Sequence, residues 1–174
     1  NTSTATALVT VLDTVAPIAI TQDVTVYLDA NGNATITAAD MDAGSNDACG
    51  VNLSISPANF DCSNVGANTV TLTVTDNNGN VSTANTTVTV EDNVNPNATC
   101  NKGSVIQLDA NGVANISISD INVGSSDACG IADLSIDTNS FDCNDICSQT
   151  VVLLVTDIKG QTLRRSTRFM KYGE

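Results

Sequence analysis

The tetrapeptide Asp47-Ala48-Cys49-Gly50 returns 80 residues later as Asp127-Ala128-Cys129-Gly130, and each copy sits inside a longer matching frame. Leu28-Asp29-Ala30-Asn31-Gly32 opens the first frame and Phe60-Asp61-Cys62 closes it. Leu108-Asp109-Ala110-Asn111-Gly112 and Phe141-Asp142-Cys143 do the same for the second. A period of this length is too long for a solenoid unit and suits one small β-domain, so the chain reads as tandem modules. The expected boundaries are 1–13 for a last strand without its module, 14–92 for module 1 and 93–174 for module 2.

Residue types point to strands. Apolar content is mostly Val, Ile, Leu and Ala set among Thr, Ser and Asn, with aromatics at 3% and neither His nor Trp. Such a mixture favours pleated, half-buried strands over helices. In module 1, Val24, Val26 and Leu28 alternate, Asn31-Gly32 turns the chain, and Ala34, Ile36 and Ala38 alternate again. An Asn-Gly pair between alternating runs is a hairpin signal. Residues 39–50 read as an irregular loop. Further strands are expected at 51–55, up to the breaker Pro57, at 70–74 and at 81–90, with a turn at Asp76-Asn77-Asn78-Gly79-Asn80. In module 2 the expected strands are 105–108, 115–118, 134–136, 151–155 and 163–170. About seven short strands per module with turn chemistry between them predict an all-β fold of tandem immunoglobulin-like β-sandwiches.

Residues 1–13 have the sequence of a module's last strand: Asn1-Thr2-Ser3-Thr4-Ala5 aligns with Asn80-Val81-Ser82-Thr83-Ala84, and Asp13-Thr14-Val15-Ala16-Pro17 with Asp92-Asn93-Val94-Asn95-Pro96. Either a longer array has been cut there, or the strand is donated to another sheet. The prolines predict a short, stiff junction.

The net charge of −13 is unevenly placed, because residues 1–92 hold no Lys or Arg and all six cations lie between Lys102 and Lys171. A wholly acidic module is not drawn by charge to nucleic acid or anionic membrane. Its natural counter-charge is a cation such as Ca²⁺, or solvent. Arg164, Arg165 and Arg168 make the final strand cationic, which reads as a charged edge against aggregation or as a surface for an acidic neighbour.

Six cysteines without histidine argue for disulfides over zinc. Cys49 and Cys62 are 13 apart and Cys129 and Cys143 are 14 apart at equivalent positions, which predicts one bridge per module and an oxidising, extracellular setting. Cys100 and Cys147 have no counterparts in module 1, where Thr21 and Gly66 stand, so they are expected to pair with each other.

Three acidic groups are candidate Ca²⁺ ligands, since Ca²⁺ takes six to eight hard oxygens on flexible loops. Asp29, Asn31, Asn33, Thr35 and Asp40 have EF-hand-like spacing, although Ala34 replaces the required Gly and a hairpin explains the same residues. The loop acids Asp40, Asp42, Asp47, Asp120 and Asp127 flank the cysteines, with Asx-turns as the competing explanation. The junction group comprises Asp13, Asp76 and Asp92, with Asp157 the module 2 counterpart of Asp76.

Catalysis finds little support: without His there is no Ser–His or Cys–His pair. The carboxylates lie in repeated turns with no aromatic sugar platform. A Lys–Asn or Lys–Asp cross-link is impossible within residues 1–92.

The Asp-x-x-x-Pro junctions, the Asp-Ala-Cys-Gly loop and Val70-Thr71-Leu72-Thr73-Val74-Thr75-Asp76-Asn77-Asn78-Gly79-Asn80 together resemble hyalin-repeat-type immunoglobulin-like modules, above all those of SprB-type repeat adhesins on gliding bacteria. The resemblance implies type IX secretion, cell-surface display, and adhesion or filament-like extension. It also implies O-glycosylation at Thr14, in Asp13-Thr14-Val15. The expected function is therefore a non-enzymatic stalk or adhesive array of an extracellular surface protein, whose partners are neighbouring copies or modules. Alternatives are a calcium-dependent carbohydrate-binding module taking surface glycans, or an accessory region of a secreted hydrolase.

Overall fold

The computed structural model describes residues 1–103 and 105–169. Its regular elements are β1 (Val24–Tyr27), β2 (Asn33–Thr35), α1 (Ala38–Met41), β3 (Val51–Ser56), β4 (Asn59–Asp61), β5 (Gly66–Asp76), β6 (Val81–Glu91), β7 (Ala114–Asn115), α2 (Ile118–Ile121), β8 (Ile131–Ile136), β9 (Ser140–Phe141), β10 (Gln149–Asp157) and β11 (Thr162–Phe169). The fold is all-β and immunoglobulin-like. Two compact units form, one from Asn1–Val26 and Ala34–Glu91, the other from Tyr27–Asn33 and Asp92–Glu174.

In the first unit one sheet runs β1-β6-β5-β3, and β2 pairs with β4. β5 alternates strictly, burying Val70, Leu72, Val74 and Asp76 while Thr71, Thr73 and Thr75 are half-buried, as a strand facing a core on one side must. Its antiparallel partners are fixed by register: Val51 opposes Asp76 on β3, and Gly66 opposes Val90 on β6. Ile36, Met41, Phe60, Val88 and Val90 supply further buried apolar side chains.

The first and last strands of this unit are neighbours, and they run in the same sense. Thr21 Oγ1 donates to the Asn85 carbonyl at 3.5 Å, and two residues on, Asp23 Oδ1 accepts from Thr86 Oγ1 at 2.7 Å and Thr87 N at 2.9 Å. Contacts that advance together along both segments define a parallel pair.

The second unit follows the same element order from β7 onwards, with a sheet β11-β10-β8 and the pair β7-β9. Its core joins Ala98, Cys100, Ile116, Ile121, Phe141, Val151, Leu153 and Val155. Here too the leading segment lies along the last strand in the same sense: Cys100 Sγ meets the Arg165 carbonyl at 3.6 Å, and Thr167 Oγ1 donates to the Asn101 carbonyl.

Several expectations are corrected. Residues 39–50 are not wholly irregular, because Thr37 and Ser117 start the short helices α1 and α2, where the carboxylates of Asp40 and Asp120 accept from their backbone N–H and hydroxyl, each at 2.7 Å. Residues 105–108 form no strand, although Ile106 packs against the core. Residues 1–13 form no strand either, and Leu8, Val9, Val11 and Leu12 are exposed. The end of the expected last strand, Met170, and the cation Lys171 lie outside the described residues.

The cysteine pairing is also corrected. Cys62 and Cys129 each take part in a disulfide, whereas Cys49, Cys100, Cys143 and Cys147 are free thiols. The expected Cys49–Cys62 and Cys129–Cys143 bridges fail for a geometric reason. Cys49 lies at the Asp76 end of β5, where its carbonyl accepts from Asn77 Nδ2, and Cys62 lies just before the Gly66 end. Eleven residues of strand separate those ends by roughly 30 Å, against a disulfide Cα–Cα reach of about 7 Å. Cys129 and Cys143 are divided in the same way by the nine residues of β10. Cys100 sits beside Arg165, which opposes Leu153, while Cys147 precedes Gln149, about 20 Å back along the strand. No helix among the described residues is long and apolar enough to cross a membrane.

Candidate functional site

One local design recurs four times: Asp-x-x-Gly-x, at Asp29, Asp76, Asp109 and Asp157. In each, Oδ1 of the aspartate accepts from the backbone N–H two and four residues on, at 2.7–2.9 Å. The glycine takes a left-handed conformation, at φ 94° for Gly79 and 86° for Gly160. At Asp29 and Asp109 this is a hairpin turn, and the EF-hand spacing has no further expression there. Both carboxylates are held below their usual range, foremost by the backbone amides of Asn33 and Val113.

Asp76 and Asp157 differ because their turns fold over the end of the sheet, where Asp76 opposes Val51 and Asp157 pairs with Ile131. Asp76 is 3% exposed and Asp157 fully buried. Near Asp76, the charges of Asp13 from the entering segment and of Asp47 from the Asp-Ala-Cys-Gly loop act with it on Cys49, and Gln161 links Asp157 to the entering Asp92.

In the first unit Asp13, Asp47 and Cys49 place one ligand atom each within 4.8 Å of one another. Asp13 Oδ1 accepts from Val15 N at 3.0 Å and Asp47 Oδ1 from Cys49 N at 2.8 Å. Asn80 Nδ2 donates to Asp76 Oδ2 at 2.7 Å and to the Asp13 carbonyl at 3.2 Å. The Cys49 thiol hydrogen-bonds Asp13, and that bond, with the charge of Asp13, burial, and the charges of Asp47 and Asp76, pushes its pKa up. Burial pulls the Asp76 pKa upward, but the Asn80 side chain and the amides of Asn80, Asn78 and Gly79 together leave it below the usual carboxylate value.

In the second unit Asp92, Asp127 and Cys129 form the equivalent group within 4.8 Å. Asp92 Oδ1 accepts from Val94 N at 3.0 Å, and Asp127 Oδ1 from Cys129 N at 2.8 Å and Gly130 N at 3.2 Å. Gln161 ties Asp157 to this group, its backbone N–H donating to Asp157 Oδ1 at 2.9 Å and its Nε2 to the Asp92 carbonyl at 2.6 Å. Four buried oxygens are left without a hydrogen-bond donor: Asp92 Oδ2, Asp127 Oδ2, Asp157 Oδ2 and Gln161 Oε1. Buried carboxylate oxygens with no donor are costly. Hard oxygens in this number suit a Ca²⁺-type cation better than zinc.

The structure thus gathers the expected Asp13, Asp47 and Asp76 at one end of the first unit, and Asp92, Asp127 and Asp157 at one end of the second. It sends Asp40 and Asp120 to helix starts instead. Asp42 closes its own loop by accepting from Ser45 N at 2.9 Å. Thr14 is exposed. Asn80 and Gln161 were not foreseen; their signal is the position after the glycine in a buried Asp-x-x-Gly-x turn.

No family model matches the sequence, and no curated protein matches it. The chain is similar in structure to the fibronectin(III)-like modules of Clostridium thermocellum CbhA, at 13% identity and TM-score 0.33, covering 89% of this chain and 93% of that one. It is also similar to human mucin-like protocadherin EC1-2, at 14% identity and TM-score 0.42, covering 89% and 97%. At TM-scores below 0.5 neither likeness carries an argument about function.

Proposed function

We propose that this chain is a load-bearing piece of a non-enzymatic extracellular array, a stalk built of sandwich modules strung along one polypeptide. The observation that carries the reading is the parallel pairing of first and last strands, through Asp23 to Thr86 and Thr87. Tension enters a module at its leading strand and leaves at its final strand. Neighbouring parallel strands pulled from opposite ends slide against each other, so their bonds must fail together instead of one at a time. The disulfide-bonded Cys62 and Cys129 favour an oxidising compartment outside the cell. The resemblance to gliding-bacterial surface repeats points the same way, and with it go type IX export, cell-surface display, contact with neighbouring modules, and O-glycosylation of the exposed Thr14.

The test is single-molecule extension of the chain, tethered at its two ends and reduced so that both units can extend fully. A stalk of this design gives two force peaks, each releasing about 280 Å of contour for roughly 80 residues. Featureless extension at low force would remove the reading.

A further inference from the structure

The two acidic ends are alike in sequence and different in chemistry. In the first unit the Asn80 amide reaches Asp76 Oδ2, and the Cys49 thiol supplies a proton to Asp13. In the second, both donors are lost. Cys129 is disulfide-bonded and has no S–H. Gln161 is one methylene longer than Asn80; its amide nitrogen goes to the Asp92 carbonyl and its oxygen is left over. What Asn80 and Cys49 do with hydrogen bonds, the second unit leaves undone at two side chains more than nine-tenths buried, Asp157 at 0% and Asp92 at 6% exposure.

We infer that the second unit holds one Ca²⁺ through Asp92 Oδ2, Asp127 Oδ2, Asp157 Oδ2 and Gln161 Oε1, and that the first unit holds none. Three carboxylate oxygens and one amide oxygen form a hard ligand set of high negative charge. Ca²⁺ accepts such a set on loops and completes its six to eight positions with water, whereas Mg²⁺ demands near-octahedral geometry and dehydrates reluctantly. The oxygens come from the unit's entry segment, its Asp-Ala-Cys-Gly loop and its last hairpin. The ion therefore pins three otherwise separate loops together.

Calorimetric titration of CaCl2 into the oxidised, EDTA-treated chain tests this, with MgCl2 as the comparison cation. The expected result is one Ca²⁺ per chain, about tenfold or more weaker binding of Mg²⁺, and a melting temperature raised by several degrees in Ca²⁺. Asp157→Asn and Gln161→Asn each weaken Ca²⁺ binding by about tenfold or more, because each brings an amide donor to the site or removes an oxygen from it. Asp76→Asn leaves the affinity unchanged. Should Asp157→Asn fail to fold, Gln161→Asn decides, since it installs the residue the first unit already carries. Absence of binding at millimolar Ca²⁺, two equivalent sites per chain, or equal sensitivity to Asp76→Asn would overturn the inference.

Discussion

Asn80 and Asp76 are locked together at the end of the first unit: the aspartate takes the Asn80 backbone N–H on Oδ1 at 2.8 Å and its side-chain amide on Oδ2 at 2.7 Å. The same amide nitrogen reaches the Asp13 carbonyl, so one side chain closes the last hairpin and anchors the entering segment. Asn80→Leu keeps the branched heavy-atom shape and removes both side-chain amide bonds. It is expected to lower the melting temperature of the first unit by several degrees, read by differential scanning calorimetry. An unchanged transition would mean that water serves Asp76 equally well.

Much of this fold was legible before any coordinates. Alternation in β5 and β6 and the Asp-x-x-Gly-x turns fixed strands and hairpins, because both signals are local. The cysteine pairing was not legible, because a spacing of 13 residues says nothing about the strand lying between Cys49 and Cys62. β3 carries the chain away from the Asp76 end, alongside Asp76 back to Thr71, and strand direction, not sequence spacing, decides whether two sulfurs meet. The acidic ends were not legible as such: the sequence puts Asp13, Asp76 and Asp92 together at a module junction, whereas Asp13 stands with Asp47 and Cys49, and Asp92 with Asp127 and Cys129. The partner escaped too: whether a carboxylate is satisfied depends on Asn80 versus Gln161, a difference of one methylene visible only once the turn is built. The helices α1 and α2 escaped because four residues show no helical period.

Acid should weaken the fold through its capping carboxylates. The Asp40 and Asp120 pKa values are depressed, foremost by the hydroxyls of Thr37 and Ser117 and then by their backbone amides. A depressed folded-state pKa gives stability that is present above the unfolded value near 4 and lost as pH falls through the folded one. Asp23, Asp29, Asp61 and Asp109 are shifted in the same direction. The melting temperature is therefore expected to fall below about pH 4. The Asp40→Ala, Asp120→Ala double variant should start lower and lose less over the same range.

Cys49 is exposed yet should be a sluggish nucleophile. Its hydrogen bond to Asp13 heads the causes that raise its pKa, so little thiolate exists near neutral pH. Asp13→Asn should speed its alkylation by iodoacetamide at pH 7.5, followed by peptide mass spectrometry. Equal rates in the two proteins would contradict the Asp13 contact.

Leu72 is fully buried in the middle of β5, opposite Ile55 and Ala84. Leu72→Ala should cost about 2–5 kcal/mol in urea denaturation, the usual range for a buried leucine that leaves a cavity. A loss well below 1 kcal/mol would show that the surrounding strands close over the gap.

Tension along the stalk loads the Asp23–Thr86 pair in shear, so the unfolding force should depend on the direction of pull. The first unit would be extended in two ways by single-molecule force spectroscopy, through handles on clickable residues. Handles before Asp23 and after Glu91 shear the parallel pair. Handles at Gly66 and Glu91, neighbours at the open end of the β5–β6 hairpin, peel its antiparallel ladder one bond at a time. The shear geometry is expected to unfold at several times the force of the peeling geometry, and Asp23→Ala should lower the first value while leaving the second unchanged. Equal forces in the two directions would contradict the load-bearing design.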